Sequence, residues 1–193
     1  MNTTTTTEQL FDGARTAVAY TDRPVDDALL RRLYELMKWG PTSANCTPAR
    51  LLFVRTPEVR ARLLACMSEG NRAKVRSAPV TVVIGMDLAF PETLPRLYPH
   101  ADARAWFDGK PALIEATALR NSSLQGAYLM IAARALGLDC GPMSGFDAAA
   151  MDAAFWAGTR VQTNFICTLG HGDAAALRPR GPRLSFDDAC RLL

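Results

Sequence analysis

Four short clusters in this sequence carry side chains able to grip a polar ligand. Arg15 and Thr16, near the N-terminus, set a guanidinium beside a hydroxyl. Arg178, Arg180 and Arg183 are spaced by Pro179, Gly181 and Pro182 along an extended segment, and forked guanidiniums suit an oxyanion such as phosphate. Asn71 and Lys74 stand one helical turn apart, so that an amide and an ammonium reach one ligand together. An amide of that kind suits the polar edge of an aromatic heterocycle. The stretch Pro41-Thr42-Ser43-Ala44-Asn45-Cys46-Thr47-Pro48 holds small hydroxyl and amide groups between two prolines. Each cluster, taken alone, also fits a plainer role: a solvated basic face, a helix end or a connector.

The elements that must position them can be read from periodicity. Apolar residues at Leu29, Leu30, Leu33, Leu36 and Met37 predict a one-sided helix over 26–39, opened by Asp26 and Asp27 and stopped by Gly40-Pro41. A short strand over 51–54, a helix from Pro57 to about residue 68 and a basic turn or short helix over 71–76 follow. The β-branched run 80–86 predicts a buried strand. Residues 90–110, with four aromatics and three prolines, read as an excursion or lid rather than core. The longest helical pattern, 111–136, is apolar almost all round, which predicts a central, largely buried helix ended by Gly137. A short stretch to Met143, a helix over 148–156, a strand over 165–169 and an Arg/Pro-rich tail complete the chain. Strands and helices do not alternate regularly, so an α+β layer is expected, as one domain over 8–193 behind a disordered tail of 1–7.

Composition excludes several classes. The 193 residues are 49% hydrophobic and 21% charged, which fits a globular protein. A net charge of +3, scattered, does not mark a nucleic-acid partner. No apolar run approaches the ~18 residues of a membrane span, and the Thr3–Thr7 tract lacks the regions of a signal peptide, so a cytoplasmic protein is expected. Cys46, Cys66, Cys140, Cys167 and Cys190 form no CxxC, and only His100 and His171 could join them, so no metal is expected. GxSxG, P-loop and GxGxxG motifs are absent, and Gly170-His171-Gly172-Asp173 reads as a turn.

In their order along the chain the clusters match a family. The chain resembles the flavin-dependent nitroreductases over essentially its whole length after the tail. Within them it resembles the malonic semialdehyde reductase (3-hydroxypropanoate dehydrogenase) branch of pyrimidine catabolism. The resemblance rests on Lys38-Trp39-Gly40-Pro41-Thr42-Ser43-Ala44-Asn45-Cys46, Arg120-Asn121-Ser122-Ser123, residues 135–147 (Ala135-Leu136-Gly137-Leu138-Asp139-Cys140-Gly141-Pro142-Met143-Ser144-Gly145-Phe146-Asp147) and Pro182-Arg183-Leu184-Ser185-Phe186. It implies an α+β sandwich with a mostly antiparallel sheet flanked by helices, assembled as a homodimer with two FMN sites in the interface.

By the same resemblance, Arg15, Thr16, Arg178 and Arg180 hold the flavin phosphate. Pro41, Thr42, Ser43 and Asn45 are laid by one subunit over the ring bound by the other. Asn71 and Lys74 take the pyrimidine edge and are the catalytic candidates, and Met143, Ser144 and Gly145 face N5. Ala14 and Val18 stand where many relatives carry cations. The implied activity is transfer of hydride from NADH or NADPH through flavin N5, in ping-pong order, to 3-oxopropanoate, with Arg120 or Arg104 as candidate carboxylate anchors. The alternatives are a broad nitro or quinone reductase, with Trp106 and Phe107 shaping an aromatic pocket, and a flavin-binding module without turnover.

Overall fold

The computed structural model describes residues 6–193; residues 1–5, most of the expected tail, lie outside the described residues. The first long helix, α1 (Asp27–Met37), starts where Asp26 caps it by accepting the Leu29 N–H at 2.7 Å, and it buries Leu30, Leu33 and Met37. Strand β1 (Ala49–Val54) follows the proline-bounded loop. Thr56 caps α2 (Pro57–Cys66), with Pro57 at its first position, and α3 (Glu69–Ser77) carries Asn71 and Lys74. Strand β2 (Val80–Asp87) is buried along its whole length. Four-residue α4 (Leu94–Leu97) and the long α5 (Pro111–Ala135) come next. Strand β3 (Asp139–Met143), α6 (Ala148–Phe155), β4 (Val161–Gly170) and the short α7 (Phe186–Ala189) complete the order.

The sheet has the order β1-β2-β4-β3, and all three pairings are antiparallel. Side chains alternate across β2. Val82 and Ile84 face Leu33, Met37, Leu129 and Leu169, whereas Val83 faces Leu63, Met151 and Ile166. Helices α1 and α5 therefore cover one face and α2 and α6 the other. Each of these buried aliphatic side chains contributes about 1.5–3 kcal/mol.

Three expectations need correction. The short stretch before Met143 is a strand: Gly141 and Pro142 hide it in sequence, but β3 lies at the sheet edge, where proline is tolerated. The excursion over 90–110 has a core of its own, made of Phe90, Leu94, Ala103 and Phe107 with Cys46, Met86 and Ala118. Its turns, Phe90–Thr93, Leu94–Leu97 and Arg104–Phe107, are too short to show a period. Phe107 is buried and packs edge-to-face on Phe90 with centroids 5.0 Å apart, while Trp106 stays half exposed against Tyr98.

The third correction concerns α5, which is not buried all round. Leu113, Leu119, Leu124 and Tyr128 are 38–47% exposed, and Ile131 is half-buried. Its buried side sets Leu129 and the small Ala118, Ala132 and Ala133 beside the polar or small Thr117, Asn121, Ser122, Gln125 and Gly126. Close approach requires the glycine, since a Cβ on Gly126 would stand 2.3 Å from the Phe165 ring.

Candidate functional site

A cleft of about 530 Å³ gathers basic residues from four remote parts of the chain. The N-terminal segment supplies Arg15 and Thr16, α3 supplies Lys74, the last turn of α5 supplies Arg134, and the C-terminal segment supplies Arg178, Arg180 and Arg183. The first wall is fixed by Ala17, whose N–H donates to the Cys140 carbonyl at 2.9 Å, and by Thr16, which bridges Cys140 at the edge of β3. Tyr20 anchors the same segment: its hydroxyl donates to Thr168 Oγ1 at 2.8 Å, and burial pushes the phenol far above its ordinary value.

The guanidiniums of this cleft lean on backbone carbonyls. Arg15 Nη1 donates to the carbonyls of Asp12, Gly13 and Ala14 at 3.0–3.2 Å. Arg180 Nη2 donates to Phe11 and Ala14 at 3.1 Å and also to Asp12. Arg134 Nη1 donates to Leu10 at 2.9 Å, while its buried Nε has no partner among the described residues. The ion pairs among the described residues all lie elsewhere, at Lys38–Glu35, Arg50–Asp87, Arg55–Asp27, Arg72–Glu69 and Arg160–Glu92. Asp12 also lines the cleft, but none of these ion pairs ties it to the six surrounding cations, so the cleft carries a net positive charge that suits an anion. Ala14 and Val18 line it without charge, and Arg134 and Arg183 line it as further cations. Arg134 was missed in sequence because a basic residue in the last turn of a helix reads as a partner of the helix dipole.

At the other end, Lys74 Nζ lies 3.3 Å from Asn71 Oδ1, and Asn71 Nδ2 donates to the Gly145 carbonyl at 3.2 Å. That carbonyl also accepts the Ser68 N–H at 3.1 Å, so the backbone just after β3 is held against α3. Met143 is buried and Ser144 exposed beside it. A Cβ on Gly145 would stand 2.4 Å from Asn71 Nδ2, so any larger residue there would displace the Asn71 amide. Arg15, Thr16, Lys74, Arg178 and Arg180 thus share one cleft, and Asn71 and Gly145 are tied to it through Lys74.

Pro41, Thr42, Ser43 and Asn45 do not line that cleft. Their loop, which contains the turn Ser43–Asn45, packs on α5 and the excursion: the Ser43 N–H donates to Asn121 Oδ1 at 2.8 Å, and Asn45 Nδ2 donates to the Leu97 carbonyl at 2.9 Å. Ala44, Asn45 and Thr47 hold φ values of 48°, 50° and 35°. Each left-handed residue costs about 1–3 kcal/mol, a strain that concentrates at functional sites. Within the loop, burial pushes the Cys46 thiol up to about 11, which leaves it a poor nucleophile.

Other features carry less chemistry. A larger groove of about 610 Å³ between α1 and β1 has its Arg55 paired to Asp27. Arg104 and Arg120 are exposed and away from the basic cleft. His171, whose ring is held below its ordinary value by partial burial and by Arg23, is likewise outside it. Among the described residues no group of three or more His, Cys, Asp or Glu could hold a metal ion. No described helix is long and apolar enough to cross a membrane.

Comparison with known proteins places the chain in a family. Residues 13–171 match the model of the nitroreductase family. A protein of Burkholderia lata, provisionally named an NADH dehydrogenase/NAD(P)H nitroreductase, is 65% identical over 185 residues, covering 96% of this chain and 95% of that protein. A Stenotrophomonas maltophilia protein with the same provisional name is 59% identical over 185 residues, covering 96% and 94%. Among solved structures, a provisionally named nitroreductase from Exiguobacterium sibiricum in complex with FMN has a similar fold. Its TM-score is 0.88 at 20% identity, covering 100% of this chain and 99% of that one.

Proposed function

Because this chain belongs to the nitroreductase family, we propose that it is an FMN-dependent NAD(P)H oxidoreductase whose cofactor phosphate enters the arginine cleft. The observation that carries this is the convergence of Arg15, Lys74, Arg134, Arg178 and Arg180 on one cleft without a paired carboxylate. A phosphate fits that donor set, because its oxygens accept from guanidiniums that now lean on carbonyls and leave Arg134 Nε unpartnered.

Arg15, Arg178 and Arg180, with the Thr16 hydroxyl, would hold the phosphate. Asn71 and Lys74 would meet the pyrimidine edge of the ring, and Met143, Ser144 and Gly145 would run alongside it. Pro41, Thr42, Ser43 and Asn45 would cover the ring held by the other subunit of a homodimer, which accounts for their distance from their own chain's cleft. Bound FMN would supply the relay of hydride from NADH or NADPH to an acceptor. Lys74 would hold a fixed positive charge beside the ring, where it would favour the negative charge of the reduced cofactor without a side-chain nucleophile.

The acceptor we propose is malonic semialdehyde, reduced to 3-hydroxypropanoate in the cytoplasm; the four passages shared with that branch support it. The provisional names of the relatives favour a second reading, a reductase of nitroarenes or quinones. Turnover of malonic semialdehyde and of a nitroarene by the same FMN-loaded protein separates the two. Nicotinamide oxidation no faster with the aldehyde than in its absence would remove the first reading.

A further inference from the structure

Asn121 is fully buried on α5, and Gln125, 5% exposed, follows one turn later on the same side. The Asn121 amide has a fixed orientation: Nδ2 donates to the Thr117 carbonyl of its own helix at 2.8 Å, so Oδ1 faces the proline-bounded loop and accepts the Ser43 N–H at 2.8 Å. Gln125 Oε1 accepts the Ala49 N–H, also at 2.8 Å. The two amides therefore grip the loop at both ends. Between those points lie Ala44, Asn45 and Thr47, all at positive φ, a combination that persists only where its surroundings dictate it. Three internal bonds help close the loop on itself: the Asn45 N–H donates to the Thr42 carbonyl and the Cys46 N–H to the Ser43 carbonyl, both at 3.0 Å, and the Thr47 N–H donates to Thr42 Oγ1 at 3.2 Å. Polar residues on the inner side of a helix, where apolar ones would pack more cheaply, are thus spent on the backbone of one strained loop.

We infer that Asn121 and Gln125 are positioning residues for the flavin site, clamping loop 41–48 in the shape with which one subunit covers the ring held by the other. The inference rests on the FMN reading above. Neither residue touches the ring; both act through the loop backbone.

The test is FMN titration of the full-length protein, followed by the visible band of bound flavin and by thermal melting. The variants are Asn121→Leu, Gln125→Met and Gln125→Glu. Leu and Met remove the acceptor at similar volume, whereas Glu keeps an acceptor oxygen for Ala49. The expected result is cooperative melting of all three, an FMN Kd raised about tenfold or more in Asn121→Leu and Gln125→Met, and a flavin band moved towards that of free FMN. Gln125→Glu is expected to keep the wild-type Kd and band. Wild-type binding and band in both Asn121→Leu and Gln125→Met would overturn the inference, as would equal weakening in Gln125→Glu and Gln125→Met. If Asn121→Leu does not fold, the two Gln125 variants decide. Wild-type protein that takes up no FMN would overturn the cofactor reading itself. In that case amide exchange at Ser43 and Ala49 still judges the clamp: faster exchange in Gln125→Met supports it, and unchanged exchange refutes it.

Discussion

Lys74 Nζ stands 3.3 Å from Asn71 Oδ1, and the other end of the same amide donates to the Gly145 carbonyl at 3.2 Å. The ammonium is thus oriented by an amide that is itself held by backbone, an arrangement that keeps a positive charge in place before any ligand arrives. Arg178 and Arg180 reach the same cleft from the opposite end of the chain. In the proposed function, binding and charge stabilisation would fall to different residues, and substitutions should separate them.

Lys74→Ala should slow reduction of bound flavin by NAD(P)H by about a hundredfold, since a preorganised charge acts where charge develops. FMN affinity should fall only a few-fold. Anaerobic stopped-flow bleaching, set beside an FMN titration, checks both. Equal losses in rate and affinity would place Lys74 among the residues that merely bind.

Arg178→Ala combined with Arg180→Ala should weaken FMN binding by about a hundredfold or more, because a charge-assisted hydrogen bond is worth about 1.5–3 kcal/mol. Arg180 also holds the carbonyls of Phe11 and Ala14, so the N-terminal segment should become more sensitive to protease. Wild-type binding should weaken as salt rises, since the cleft is open to solvent. Undiminished occupancy in the double variant would contradict the phosphate assignment.

Leu124→Asp tests the outer face of α5. Leu113, Leu124 and Tyr128 are exposed apolar residues on one side of that helix, and a charge placed among them should split a homodimer into folded monomers. Light scattering after size exclusion gives the mass, and circular dichroism shows whether the fold persists. A dimer of unchanged stability would mean that another surface joins the subunits.

Thiol chemistry gives an independent check on burial. Cys46, Cys66, Cys140 and Cys167 are buried and Cys190 is exposed. Burial pushes the Cys46 thiol up to about 11, so its thiolate is scarce at pH 8 and becomes appreciable only near that value. Iodoacetamide at pH 8 should therefore alkylate Cys190 alone in the native protein and all five cysteines in denaturant, as read by peptide mass spectrometry. Native labelling of Cys46 would show that its loop opens.

Much of the fold could be read from sequence because its signals are local. Asp26 caps α1 as its position predicts, and the β-branched run of β2 is the most deeply buried strand. What escaped was decided by tertiary contact. Pro142 sits in a strand because β3 is an edge, and α5 hides Asn121 and Gln125 while exposing Leu119 and Leu124 because its inner side must approach Phe165 closely and serve a loop. The cation clusters of the site were legible by residue type, but their convergence was not. Arg15 and Arg180 meet only because the C-terminal segment returns to carbonyls near residue 12, a contact that no spacing in the chain announces.

The most direct test of the account is a visible spectrum of the protein titrated with FMN, then mixed anaerobically with NADPH and with NADH. The account predicts saturable binding of one FMN per chain, a flavin band distinct from that of free FMN, and bleaching by at least one of the two nicotinamides. A protein that takes up no FMN, or that binds it and leaves it yellow under both reductants, would contradict it.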